Sequence, residues 1–185
     1  RSARNVLAHP DVDAAVLATA RGGLLREGLA FDQCDVAIVT NLGGGDHLGL
    51  NYITTLEDLK VLKRVIVLNV APTGTAVLNA ADPAVVAMAP HCPGKVTFFA
   101  QDGHHPVIET HRAQGQRVVF IDHGDIVCVE GAFMKRLPLA RVPLTRKGQI
   151  GFQVENTMAS VAAAWALATP WEAIQKGLSS FISDL

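Results

Sequence analysis

Three polar side chains that could bind a phosphate or a metal follow a short apolar run in the segment VAIVTNLGGGDHLG, residues 36–49. They are Asn41, Asp46 and His47. The β-branched run before Asn41 predicts a buried strand, and three consecutive glycines allow the backbone to approach a ligand closely. Ligands of open α/β sheets bind beyond the carboxyl ends of the strands, where oxygen and nitrogen donors suit a metal-bound polyphosphate. A polar turn whose histidine caps a neighbouring group is the alternative that the spacing leaves open.

Arg21 and Lys63 are the cationic candidates. Arg21 precedes two glycines just after a predicted strand, where a guanidinium and flexible backbone could bind an anionic group. Lys63 lies in a predicted helix with an apolar stripe and is flanked by Lys60 and Arg64. It is either a buried functional lysine or the polar edge of an amphipathic helix, and the pattern alone favours the polar edge.

Asn79 and Asn156 are candidates for binding through an amide. Asn79 follows a predicted strand, together with Asp82, which could simply cap the helix that Pro83 begins. Asn156 opens an apolar helix, where capping is the default explanation. The sequence GxxxxGK[ST] does not occur, so this chain contains no P-loop to hold a triphosphate.

Composition excludes several functional classes. The 185 residues suit one domain with a sizeable core. The net charge is −1 with no basic stripe, which disfavours nucleic acid as a partner, and no apolar run is long enough for a membrane span. Three widely spaced cysteines argue against disulfides or a zinc site and favour a reducing, cytoplasmic location. The chain has neither an initiator Met nor a signal peptide, so we expect it to be a piece of something longer.

Alternating strand and helix patterns predict an α/β fold, with a parallel sheet covered by helices. Residues 116–146 are predicted to form a small antiparallel β subregion around a hairpin turn at 122–125. The histidines at 104, 105 and 123 lie in predicted loops and receive no role. The predicted elements are helix 2–7, strand 14–19, helix 24–30, strand 36–39, a helix from Thr54 or Thr55 to 68, strand 75–79, a helix from Pro83, strands 96–100, 117–121, 126–130 and 133–139, and helices 153–168 and 171–182.

The ordered segments ATARGGLLREGL, TNLGGGDHLGL, TLEDL, VLNAADP and the helix at Asn156 resemble the ATP-binding central domain of the Mur ligase superfamily. Within it they are most similar to the cyanophycin synthetases, where DHLG stands in place of the usual DHLD. The resemblance implies that residues 1–185 are a partial central domain, with the family's P-loop segment missing upstream.

That resemblance implies a cytoplasmic, ATP- and Mg²⁺-dependent amide ligase that is a homo-oligomer, by the family a tetramer. It would join L-arginine to aspartate side chains of cyanophycin, an Asp/Arg polymer, through an acyl-phosphate. The family pattern makes His47 a magnesium ligand oriented by Asp46, and puts Asn41 near the phosphates. It puts Lys63, carbamylated in several members, beside a second metal, and Asn156 at the adenine.

We therefore predict Lys63 and Arg21 as catalytic residues, Asn41, Asn79 and Asn156 as nucleotide-binding residues, and His47 as the metal ligand. One departure weakens the metal site, because Ala18 stands where relatives have a magnesium-binding glutamate. Two alternatives follow. The chain could be a degenerate, non-catalytic Mur-like module for structure or assembly, or part of a Mur-type ligase for another amino acid.

Overall fold

A single six-stranded sheet organises this computed structural model, which describes residues 2–19, 21–42 and 55–181. Its strands lie side by side in chain order, with β1 to β4 parallel and β5 and β6 antiparallel to their neighbours. This arrangement confirms the predicted α/β class and the antiparallel addition to a parallel sheet. The strands are β1 Cys34–Val39, β2 Val70–Asn79, β3 Lys95–Asp102, β4 Val118–Asp122, β5 Asp125–Glu130 and β6 Phe133–Pro138.

Helices cover both faces of this sheet. Helices α3, α4 and α5 pack on one face and α6 and α7 on the other. The helices are α1 Ser2–Leu7, α2 Arg21–Glu27, α3 Leu56–Leu68, α4 Pro83–Val86, α5 Pro106–Ala113, α6 Gly151–Ala166 and α7 Trp171–Ser180. Short 3-10 helices occupy Ala89–His91, Leu139–Arg141 and Pro143–Thr145.

The middle strands are apolar on both sides, as expected for a parallel sheet between two helical layers. In β2, Ala76 and Leu78 join the core under α3 to α5, whereas Val77 joins the core under α6. In β3, Phe99 is fully buried against α6. Burying a side chain of this size stabilises the fold by about 1.5–3 kcal/mol. The carboxyl ends of β1 to β3 are therefore held by a packed core.

Local sequence signals explain where α3 begins and where the chain turns between β4 and β5. Thr55 and Asp58 form a reciprocal capping box at the start of α3, with bonds of 3.0 and 3.1 Å, at one of the two positions where the sequence predicts this helix to begin. The predicted hairpin between β4 and β5 turns at His123 and Gly124, whose φ angles are 49° and 81°. Positive φ at both central positions matches the twist of a two-residue hairpin.

Three predictions for the fold are wrong or incomplete. Residues 14–19 form no strand, and the side chain of Val16 is fully exposed; the apolar run has no hydrogen-bonding neighbour among the described residues. Helix α2 begins at Arg21 and ends at Glu27, since Gly28 has a φ of 67° and its N–H bonds to the carbonyl of Leu24. Helix α5 is not predicted from the sequence, although Pro106 at its first position is a typical start signal.

Candidate functional site

The candidate site is built on the ends of β1 and β2. These strands are parallel, and Val39 pairs with Leu78, so the residues that follow them meet at one edge of the sheet. Residues 40–42 therefore lie beside residues 79–82. Polar side chains at such an edge are positioned for ligand binding in α/β folds.

Asn79 is buried at this edge and holds the end of β1. It is 5% exposed, and its Nδ2 donates a hydrogen bond of 2.9 Å to the carbonyl oxygen of Thr40. Its Oδ1 accepts a bond of 2.9 Å from the backbone N–H of Ala81. A buried amide needs such partners, because leaving it unpaired costs about 1–3 kcal/mol. Asn79 thus joins the end of its own strand to the end of the neighbouring one.

Asp82 performs two tasks with its two oxygens. Oδ1 accepts hydrogen bonds from the backbone N–H groups of Ala84 and Val85 and so caps α4, as the sequence predicts. Oδ2 accepts a bond of 2.9 Å from the backbone N–H of Leu42, forty residues earlier in the chain. The carboxylate therefore couples the start of α4 to the segment after β1.

Lys63 reaches the same segment from α3. Its Nζ donates hydrogen bonds to the carbonyl oxygens of Asn41, at 2.9 Å, and Leu42, at 3.0 Å. Burial lowers the pKa of the Lys63 amine, and the nearby Asp82 carboxylate partly opposes that shift. Lys63 is therefore a tertiary anchor, and the polar-edge interpretation does not describe it.

We call Lys63, Asn79 and Asp82 the β1 clamp. Together they bind the carbonyl oxygens of residues 40, 41 and 42 and the N–H of Leu42. Three elements, α3, β2 and the turn before α4, thus hold the backbone of residues 40–42 in place. The Asn41 side chain is exposed at this point, where it is open to a ligand.

Asn156 lies near the same edge but on the other face of the sheet. It is exposed in α6, and its Nδ2 donates a bond of 3.3 Å to the Oε1 of Gln153. Gln101, near the end of β3, donates to Glu155 at 3.0 Å and so brings this part of α6 to the edge. Asn156 does not cap the helix, because α6 begins five residues earlier at Gly151.

The structure brings Asn41, Lys63 and Asn79 together and places Arg21 at the first residue of α2, which packs against α3. The predicted metal ligand, His47, lies outside the described residues, as does Asp46. Within residues 2–19, 21–42 and 55–181, no group of three or more His, Cys, Asp or Glu residues is arranged to hold a metal ion.

Sequence reasoning missed the long-range half of the role of Asp82. The residues NAADP reveal a helix cap because a cap is local. The bond to Leu42 depends on the pairing of β1 with β2, so no local pattern could show it.

Known proteins of similar sequence point to the same architecture. Residues 5–164 match the Mur ligase middle domain. The chain belongs to this family. As a Mur ligase middle domain, it is 41% identical to a cyanophycin synthetase of Synechocystis sp. along 100% of its own length. It is 32% identical, over 80% of its length, to a UDP-N-acetylmuramoylalanine–D-glutamate ligase of Desulfitobacterium hafniense. It spans 21% of the first relative and 29% of the second.

The fold of this Mur ligase middle domain is also found among solved structures. MurF from Acinetobacter baumannii superposes with a TM-score of 0.54 at 22% identity, over 82% of this chain and 30% of MurF. At that identity the match shows the shared fold alone. Among the helices described here, none combines the length and apolar character that crossing a membrane requires.

Proposed function

We propose that residues 1–185 are part of the nucleotide-binding domain of an ATP-dependent amide ligase. Its reaction would join L-arginine to aspartate side-chain carboxylates of cyanophycin. The observation that carries this proposal is the 41% identity to a cyanophycin synthetase along the whole chain. The β1 clamp supports it, because it fixes the segment that leads into the glycine-rich residues at the ligand-binding edge of an α/β sheet.

The proposed chemistry has two steps. An aspartate carboxylate attacks the γ-phosphorus of ATP and forms an acyl-phosphate, releasing ADP. The α-amine of arginine then attacks the acyl carbon, an amide bond forms, and phosphate leaves. Phosphoryl transfer of this kind depends mostly on positioning and on stabilising charge.

Residue roles follow from position at the edge of the sheet. We propose that Lys63 fixes the phosphate-binding segment and adds positive charge there, and that Arg21 binds an anionic group. Asn41, with its exposed side chain, would contact the phosphates. Asn79 would contribute to nucleotide binding by holding the end of β1, and Asn156 would bind the adenine from the other face.

Magnesium would reduce the charge on the phosphates if bound. Among the described residues, no group of three or more His, Cys, Asp or Glu side chains is arranged to hold it, and the methyl side chain of Ala18 cannot coordinate a metal. His47 remains the proposed metal ligand. No step of the mechanism is assigned to the ion.

The test is amino-acid-dependent ATP hydrolysis by a protein that includes this chain together with the regions that flank it in the relatives. The proposal predicts release of phosphate that requires both arginine and an aspartate polymer. Release supported by a different amino acid would instead identify a Mur-type ligase for that substrate. No release with any amino acid would contradict the ligase function.

A second candidate is a non-catalytic module that serves structure or assembly. It is favoured by Ala18, which cannot bind a hard cation. Under this alternative, His47→Ala in the longer protein leaves polymer synthesis unchanged. Under the ligase proposal, the same substitution reduces synthesis strongly.

We also propose a cytoplasmic homo-oligomer, by the family a tetramer. The similarity to cyanophycin synthetases supports the oligomer. The three cysteines, none of which forms a disulfide, support the cytoplasmic location. Light scattering of the longer protein tests the oligomeric state. A monodisperse monomer would contradict it.

A further inference from the structure

We infer that Asp82 is a positioning residue of the nucleotide site, acting through Leu42 in concert with Lys63; this inference rests on the proposed function. Asp82 accepts the N–H of Leu42, and Lys63 donates to the carbonyl oxygen of the same residue. An anion and a cation thus hold the two polar backbone groups of one residue. Besides this shared contact with Leu42, the Asp82 carboxylate and the Lys63 ammonium interact electrostatically.

The position of Leu42 explains why this matters for a ligand. Leu42 is 6% exposed and is the last described residue before the glycines at 43–45. Leu42 directly follows Asn41, whose exposed side chain is the proposed phosphate contact. Bonds that fix the backbone of Leu42 therefore also fix the position from which the Asn41 side chain reaches a ligand.

Charge makes the two bonds of this anchor stronger than ordinary ones. Hydrogen bonds with one ionised partner are stronger than those between neutral groups; the bonds to Leu42, at 2.9 and 3.0 Å, have ordinary N–H···O lengths and one charged partner each. Asp82 also supports Lys63 in its charged form, since its carboxylate raises the pKa of the amine against the effect of burial. Loss of the carboxylate would weaken both sides of the clamp.

Asp82 also ties the anchor to a rigid element. Its second oxygen caps α4, whose Val85 is fully buried in the core. A ligand that pulls on residues 40–42 would therefore act against the packed start of α4 and not against a free side chain. This link gives the edge of the sheet a fixed geometry before the nucleotide arrives.

The substitution Asp82→Asn tests whether one side chain must accept hydrogen bonds both from the start of α4 and from the N–H of Leu42. Asparagine is as good an N-cap as aspartate, but it has one carbonyl oxygen, and its amide nitrogen donates instead of accepting. It can satisfy the α4 amides or Leu42, but not both. His105→Ala is the matched control, because it removes a helix cap at α5, where the His105 Nδ1 accepts from Val107 at 3.3 Å.

Hydrogen exchange and ATP affinity of the longer protein provide the two measurements. We expect Asp82→Asn to speed exchange of the Leu42 amide by roughly tenfold or more and to weaken ATP binding by about tenfold. His105→Ala should change neither. The inference is overturned if exchange of the Leu42 amide in Asp82→Asn equals that of the native protein, or if ATP affinity falls no more than in His105→Ala.

The two measurements also separate this inference from the proposed function. Exchange of the Leu42 amide reports the anchor whether or not ligation occurs. Absence of arginine-dependent phosphate release in the native protein would contradict the ligase, whereas unchanged ATP affinity in Asp82→Asn would contradict the positioning role.

Discussion

Lys63 lies with its ammonium nitrogen 3.0 Å from the carbonyl oxygen of Leu42, although 21 positions separate the two residues. This contact joins the middle of α3 to the segment after β1. It makes the lysine part of the sheet edge and not part of a solvated helix face. The chemistry proposed for this domain depends on that placement.

Replacing Lys63 should destabilise the protein locally. Lys63→Met removes the bonds to Asn41 and Leu42 and leaves two carbonyl oxygens without their donor. Because bonds from charged donors are worth more than neutral ones, we expect a loss of about 1.5–3 kcal/mol in the free energy of unfolding, measured by urea denaturation.

Lys60→Met is the control for that measurement. Lys60 lies one turn earlier and makes an exposed ion pair of 3.1 Å with Glu57. Exposed pairs contribute about 0–1 kcal/mol, so this variant should stay close to the native stability. Equal losses in the two variants would argue against the clamp.

Asn79 should be difficult to replace even by aspartate. Asn79→Asp keeps an acceptor for Ala81 but turns the donor toward Thr40 into an acceptor facing another acceptor. We expect a loss of about 2 kcal/mol or more in urea denaturation, because the group is buried.

The matched variant for Asn79 is Asn69→Ala. Asn69 also donates from its amide to a backbone carbonyl, at 2.7 Å to Val65, but it follows α3 and precedes β2, so it lies at the opposite end of β2 from Asn79. The Asn69→Ala variant should have a lower free energy of unfolding but the ATP affinity of the native protein. An Asn79→Asp variant that binds ATP as the native protein does would remove Asn79 from the proposed site.

His111 should make stability depend on pH. Burial lowers the pKa of the His111 imidazole below its usual value of 6.5, and the hydrogen bond from Nε2 to the Val96 carbonyl only partly offsets this. The unfolded chain therefore takes up a proton before the folded chain does. The free energy of unfolding falls as the pH drops below about 6.5 and stops falling once the lower, folded-state pKa is passed.

His111→Gln should flatten this dependence, since glutamine can still donate to Val96 but does not titrate. Thermal unfolding between pH 7 and 5 measures the effect. His104→Gln serves as the comparison, because the His104 side chain is 93% exposed. A native-like pH dependence in His111→Gln would show that another group is responsible.

Arg117 should stabilise the antiparallel part of the sheet. Its guanidinium carbon lies 4.5 Å from the ring centroid of Trp165, and its Nε bonds to Glu130 at 2.8 Å. We expect Arg117→Met to cost about 1–3 kcal/mol through the lost cation–π contact and ion pair. Arg112→Met, where the guanidinium carbon is 5.7 Å from the Phe120 ring, should cost less; the reverse order would contradict this account.

Local signals predicted the parts of this fold that depend on local physics. The capping box at Thr55, the cap by Asp82 and the turn at His123 and Gly124 all involve groups within a few residues of each other. The same reasoning failed for residues 14–19, because a strand needs a partner and an apolar run cannot reveal whether one is present.

The site was predictable only as a set of residue types at strand ends. Asn41, Lys63 and Asn79 meet because β1 pairs with β2 in one register and α3 packs over them. Helical spacing could not distinguish Lys63 from its neighbours Lys60 and Arg64, since the apolar stripe leaves all three on the polar side of the predicted helix. Only the tertiary contact with Leu42 does so.

Equilibrium binding of ATP to the longer protein, in its native form and as Lys63→Met and Lys60→Met, measures whether the β1 clamp takes part in nucleotide binding. If the β1 clamp forms part of the nucleotide site, Lys63→Met should weaken binding by about tenfold or more, and Lys60→Met should stay within about twofold of native. Native-like affinity in Lys63→Met would show that the β1 clamp is not part of the nucleotide site.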